Sequence, residues 1–105
     1  MKPETIRNAQ VNVLANIFFD GAVQSRTYHA DDGRRRTLGV ILPGEYAFDT
    51  HEAEVVEITR GGEEILLPGE TAWRTIGVGE SYTVPAHSSF RVKCATITEY
   101  ICTFL

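Results

Sequence analysis

Three arginines stand together at 34–36 in a chain whose other cations are scattered. A guanidinium group binds phosphate or carboxylate through paired hydrogen bonds. Strand alternation sends Arg35 to the face opposite Arg34 and Arg36, so the run cannot serve one pocket as a block. Arg35 is the candidate anion ligand, while Asp31 and Asp32 next to the run also suit a solvated, salt-bridged hairpin flank. Glu45 and Glu54 are the candidate carboxylates; such a group hydrogen-bonds hydroxyls and stabilises developing positive charge. His87-Ser88-Ser89 follows Pro85. Its imidazole titrates near neutral pH and its hydroxyls add donors. Tyr46, Phe48, Trp73 and Phe90 offer flat faces for stacking, or they fill an ordinary core.

The elements that must hold these residues are strands. Val, Ile, Thr and the aromatics number 38 against 16 for Leu, Ala and Met, a balance that favours sheet over helix. Turn signals at Asp31-Asp32-Gly33, Pro43-Gly44, Gly61-Gly62, Pro68-Gly69, Gly77 and Pro85 separate expected strands at 22–29, 35–42, 45–50, 55–60, 64–67, 71–76, 81–84, 90–94 and 99–105. Alternation puts Tyr46, Phe48 and Thr50 on one face, with stripes at Phe90, Val92, Cys94 and at Tyr100, Cys102, Phe104. These stripes predict an all-β, antiparallel, jelly-roll-like barrel spanning 12–105, with 1–11 as a polar extension containing at most one helical turn. With 105 residues the chain is one domain, too short for a cleft between two lobes.

Ten basic against fourteen acidic side chains give a formal charge of −4. That balance argues against a general nucleic-acid or anionic-membrane binder. No apolar run approaches the ~20 residues of a membrane helix. Residues 11–19 (VNVLANIFF) are interrupted by two asparagines and lack a small-residue cleavage site, so they read as mature structure. Cys94 and Cys102, with no CxxC spacing, read as buried free thiols of a cytoplasmic protein.

The spacing resembles the cupin superfamily. Glu54 precedes Gly61 as at the end of the first cupin motif, and Gly79 precedes Pro85 as at the start of the second. The superfamily's other metal-ligand positions hold Phe48, Thr50 and Phe90. A transition metal needs several converging N, O or S ligands, and only Glu54 remains, so no metal is expected. A more specific resemblance runs through Gly44-Glu45-Tyr46-x-Phe48-x-Thr50, Leu66-Leu67-Pro68, Trp73, Gly79-x-Ser81-x-x-Val84-Pro85-x-His87-Ser88-x-Phe90 and Tyr100-x-Cys102. In this order and spacing the chain resembles the pyrimidine/purine nucleoside phosphorylases, over about residues 12–105.

That resemblance implies a cupin-type barrel and phosphorolysis: nucleoside plus phosphate gives free base plus pentose 1-phosphate, for purines and pyrimidines alike. Inorganic phosphate is then a co-substrate, no cofactor is required, and a homodimer is expected. Positioning and electrostatics supply most of the acceleration in such a reaction. Under this reading Arg35 and Ser88 hold phosphate. Glu54 stabilises the cationic sugar, His87 protonates the leaving base or adds to the phosphate site, and Glu45, Tyr46, Phe48 and Phe90 bind the nucleoside. Three competing readings are a metal-free cupin that binds a small molecule without turnover, a metal enzyme using Glu54 with His51 and His87, and a module that pairs its edge strands with a partner.

Overall fold

The structure, a computed structural model, describes residues 4–105. Eleven strands run through them: β1 (Gln10–Val11), β2 (Asn16–Phe18), β3 (Val23–His29), β4 (Arg35–Ile41), β5 (Gly44–Asp49), β6 (Glu54–Arg60), β7 (Gly62–Leu66), β8 (Arg74–Gly77), β9 (Ser81–Val84), β10 (Ser89–Cys94) and β11 (Thr98–Phe104). Nine of them fall on the expected segments. The strand expected from residue 71 begins at Arg74 instead. The turn at Pro68-Gly69 ends β7 early, and the ladder between the two strands closes at the pair Ile65–Arg74.

Every pairing is antiparallel. One sheet runs β1-β3-β4-β11-β6-β9, with β2 also on β3; the other runs β5-β10-β7-β8. The jelly-roll-like, all-β architecture is the expected one, but the two sheets face each other without closing into a barrel. Their inner faces bury Val23, Ile41, Val56, Ile58, Ile65, Val84 and Val92, and this burial is the main stabilising contribution.

Two glycines are required by close approach. The far end of the Tyr100 ring lies over Gly39, where a Cβ would sit 2.1 Å from its Cζ. Gly61 turns β6 into β7 at φ +78°, with a would-be Cβ 2.5 Å from the Ile97 carbonyl oxygen. Both positions exclude any side chain.

The segment before β3 is more ordered than its sequence suggests. Gln10 and Val11 pair with His29 and Tyr28, and β2 pairs with residues 23–25. No helical turn forms among residues 4–9, and residues 1–3 of the expected extension lie outside the described residues. After β2 comes a 3-10 turn, Phe19–Gly21, with φ of 51° at Phe19, 54° at Asp20 and 96° at Gly21. Three left-handed residues in succession reverse the chain sharply. They swing the Phe19 ring edge-on to Tyr46 at 5.0 Å and Phe48 at 5.5 Å.

Candidate active site

Between the sheets lies a cavity of about 550 Å³. Strand register across the larger sheet orders its wall in rows. The outermost row holds Phe104, Glu54 and Val84. The next holds Thr27, Thr37, Cys102, Val56 and Tyr82. The third holds Ser25, Gly39, Tyr100 and Ile58. Facing partners in a ladder share a face, so each row lies at one level between the sheets, with Val84, Gly39 and Ile58 outside the cavity lining.

Arg35 belongs to the outer row. Its guanidinium pairs with Glu52, from the loop after β5, and lies 4.2 Å over the Phe104 ring. Alternation turns Arg36 to the other face, where it bonds Thr103 and the Asp32 carboxylate. That ion pair pulls the Asp32 carboxyl down to about 2. Glu54 is half-buried in the same row as Arg35. Burial pushes its carboxyl above the ordinary value, and a hydrogen bond from the Cys102 thiol pulls it partway back. Burial, then the nearby Glu54 charge, push the Cys102 thiol far up, so it stays a neutral donor.

The smaller sheet contributes rings. Phe48 and Phe90 pair across β5 and β10 and stack at 5.5 Å with planes 28° apart. Tyr82 meets Phe90 edge-on at 6.2 Å. Opposite them runs a polar strip. The Asn16 side-chain amide donates to Ser25 Oγ at 3.2 Å and to Thr27 Oγ1 at 3.0 Å, and Asn12 and Thr37 also line this side.

Four of the eight expected site residues therefore meet in one cavity: Arg35, Phe48, Glu54 and Phe90. The other four lie outside its lining. Glu45 is on the outer face of the smaller sheet, paired with Arg91. The buried Tyr46 ring points into the core, and its hydroxyl donates to the Leu42 carbonyl at 2.8 Å. His87 is exposed at φ 53° in the turn between β9 and β10. Ser88 closes that turn: its amide donates to Thr50 Oγ1 at 3.1 Å and its hydroxyl to the Pro85 carbonyl at 2.7 Å. Thr50 Oγ1 in turn donates to Pro85 at 2.7 Å.

Sequence reasoning passed over Asn12, Asn16, Ser25, Thr27 and Thr37, because small polar residues in strands carry no chemical signature. It also missed Glu63, on β7 deep in the cavity. A signal was present there: Glu63 has the parity of Ile65, an apolar inward position. As for metals, His51 reaches the cavity wall but His87 does not. Among the described residues no group of three or more His, Cys, Asp and Glu side chains is arranged to hold an ion.

Comparison with known proteins adds identity to this geometry. The family model described as pyrimidine/purine nucleoside phosphorylase matches residues 13–104. A pyrimidine/purine nucleoside phosphorylase of Hydrogenovibrio crunogenus is 45% identical over 98 residues, covering 93% of this chain and 94% of that protein. The crystal structure of a protein of unknown function from Acinetobacter sp. ADP1 superimposes with a TM-score of 0.92 at 30% identity, over 96% of this chain and 98% of that one. An RmlC-like cupin from Shewanella frigidimarina gives 0.68 at 17% identity, over 92% and 83%, and is similar in fold alone.

Proposed function

This chain belongs to the pyrimidine/purine nucleoside phosphorylase family, and we propose that it splits purine and pyrimidine nucleosides with inorganic phosphate, yielding free base and pentose 1-phosphate. The observation that carries the residue-level reading is the cavity, which holds one arginine at its outer row, a carboxylate beside it and a ring stack across from both.

Arg35 binds phosphate, which takes the place of Glu52 on the guanidinium. Glu54 faces the sugar, where a carboxylate stabilises the positive charge that builds at the anomeric carbon as the glycosidic bond lengthens. The strip from Asn16 to Thr37 bonds the sugar hydroxyls. Phe48 and Phe90 stack on the base, and stacking tolerates purines and pyrimidines alike because both present a π-face. Glu45, Tyr46, His87 and Ser88 take structural roles in this reading. Phosphate is the co-substrate and no cofactor takes part. The enzyme works as a homodimer in the cytoplasm, where its two buried free thiols stay reduced. Among the described residues no helix is long and apolar enough to cross a membrane.

The test is to incubate the purified protein with inosine or uridine, with and without inorganic phosphate, and to follow free base by chromatography in the presence of a chelator. Phosphate-dependent release that survives chelation is expected. Release without phosphate means hydrolysis, and saturable nucleoside binding without release means a binding protein; either result overturns the proposal.

A further inference from the structure

Glu63 is the least expected side chain in the molecule. Only 4% of it is exposed. It is inward-facing on β7, where its neighbour by parity is Ile65 and its partner across the ladder is Ile76. Its carboxyl is partnered by neutral groups: the Tyr82 hydroxyl donates to Oε1 and the Cys94 thiol lies 3.9 Å from Oε2. Among the described residues the one arginine lining the cavity, Arg35, sits in the outer row and pairs with Glu52. An ionised carboxylate buried without a cation is costly. Burial accordingly pushes the Glu63 carboxyl above its ordinary value, more strongly than the Tyr82 and Cys94 hydrogen bonds pull it down. A fold that needed only packing would place an aliphatic side chain here.

Position gives this acid a partner reaction. Tyr82 lies one row deeper than Glu54 in the larger sheet's ladder. Its ring abuts Phe90, the face on which the base stacks in the reading above. The cavity then runs from Arg35 at the outer row, past Glu54, to Tyr82 and Glu63 at the inner end. Phosphate enters at one end and the base departs toward the other, as displacement at the anomeric carbon requires.

We infer that Glu63 and Tyr82 form a proton relay that protonates the departing base. The inference rests on the phosphorolytic reading. As the glycosidic C–N bond breaks, its electron pair goes to the base nitrogen. The Tyr82–Glu63 hydrogen bond reverses for this step: the protonated Glu63 carboxyl donates to the Tyr82 oxygen as the Tyr82 hydroxyl passes its proton to the base, while an oxygen of hydrogen phosphate bonds the anomeric carbon. Hydrogen phosphate releases its proton to solvent on becoming the ester, and Glu63 takes one up from solvent once the products leave. The net reaction gains and loses no proton.

The experiment compares substrates that need protonation with one that does not. In 7-methylinosine the imidazole ring already carries the positive charge that a proton would supply. Positioned general acids contribute about 10²–10⁴-fold. Glu63→Gln, which keeps size and a hydrogen bond to Tyr82, is therefore expected to lower kcat on inosine and uridine by about 100-fold or more. Turnover of 7-methylinosine should stay within about threefold of the parent enzyme. Tyr82→Phe should show the same selective loss, and it serves alone if thermal unfolding shows that Glu63→Gln is misfolded. Equal losses on all three substrates overturn the relay and leave a structural role; unchanged turnover of inosine overturns it outright. Should the parent enzyme release no base with phosphate from any of the three, the phosphorolytic reading falls first, and the relay with it.

Discussion

At the scale of single residues, alternation was the reliable guide and residue type the weaker one. Period two separated Arg35 from Arg34 and Arg36, and it set Phe48 and Phe90 on inner faces. His87 attracted attention because histidine often does chemistry, yet it stands exposed in a turn. Glu63 escaped because a charged residue in a Gly-Glu-Glu run looks solvated, and only its parity with Ile65 betrayed it. The Arg35–Glu52 pair is half-exposed on both sides, and such pairs contribute about 0–1 kcal/mol, so phosphate displaces Glu52 readily. Arg35→Ala is expected to raise the KM for phosphate about tenfold or more, as loss of a charged hydrogen bond of ~1.5–3 kcal/mol implies, with the KM for nucleoside nearly unchanged. Steady-state kinetics with each substrate varied in turn decides this; a selective rise in nucleoside KM would move Arg35 to the other end of the cavity. Glu63 also leaves a mark on stability. Its folded-state carboxyl sits above the reference value of 4.5, so the folded state holds that proton more tightly than the unfolded chain does. Its contribution is therefore present at low pH and is lost as pH rises from about that reference value through the folded-state value. Glu54 shifts in the same direction, whereas burial raises the surrounding Tyr82, Tyr100, Cys94 and Cys102, keeping them neutral across this range. Glu63→Gln should accordingly gain Tm relative to the parent as pH goes from 5 to 8, with Glu54 supplying the slope that remains. A gap that narrows with rising pH would contradict the burial argument.

At the scale of elements, turn residues marked nearly every boundary, because Gly and Pro impose backbone geometry that neighbours cannot override. The two strands that went unread, β1 and β2, have two and three residues. They exist only because β3 offers a free edge, and pairing of that kind leaves little trace in a short polar sequence. Their effect on the site is still direct, since Asn16 and Phe18 reach the cavity from β2. Elements are also fastened to each other away from the ladders. Thr50, just after β5, is buried, and its hydroxyl bridges the Pro85 carbonyl and the Ser88 amide in the turn between β9 and β10. Its own amide donates to Ser88 O at 2.8 Å. The position a metal-binding cupin would give to histidine has thus become a hydrogen-bonded clamp between the two sheets. Thr50→Val preserves shape but strands the Ser88 amide, while the Pro85 carbonyl keeps the Ser88 hydroxyl. An unmade buried hydrogen bond costs about 1–3 kcal/mol, and urea unfolding should show a loss in that range. A loss below about 0.5 kcal/mol would mean that water replaces the hydroxyl and that the clamp is unimportant.

At the scale of the whole molecule, the two faces of the larger sheet are unequal. Its inner face lines the cavity; its outer face carries Leu38 at 45% exposure and Val40 at 38%, adjacent on β4. Ile101 pairs directly with Leu38 and extends the apolar area onto β11. Along the edge, Val11, Val13, Leu14 and Ile17 are exposed as well. The smaller sheet's outer face is different: Arg91 and Lys93 cover Trp73 there, and Glu45 pairs with Arg91. Charge covers the smaller sheet's outer face, whereas on the larger sheet Arg26 and the Arg36–Asp32 and Arg60–Glu99 pairs flank an apolar strip of Leu38, Val40 and Ile101. Exposed apolar side chains scattered singly need no explanation, but a contiguous patch marks an interaction site. A two-fold pairing of larger sheets would bury it with the same surface on both partners, and it would leave the open side of each cavity clear. The proposed homodimer is therefore expected to form through β4 and β11. Sedimentation at micromolar concentration should give twice the 11.7 kDa chain mass. Leu38→Asp should bring that to the monomer value, because a charge placed at the centre of an apolar interface loses its solvation without gaining a partner. The strand itself tolerates the change, since Leu38 faces outward and contributes nothing to the core between the sheets. A dimer that survives Leu38→Asp but dissociates when Arg91 or Lys93 is replaced would show that the charged face, not the apolar one, is where two copies meet.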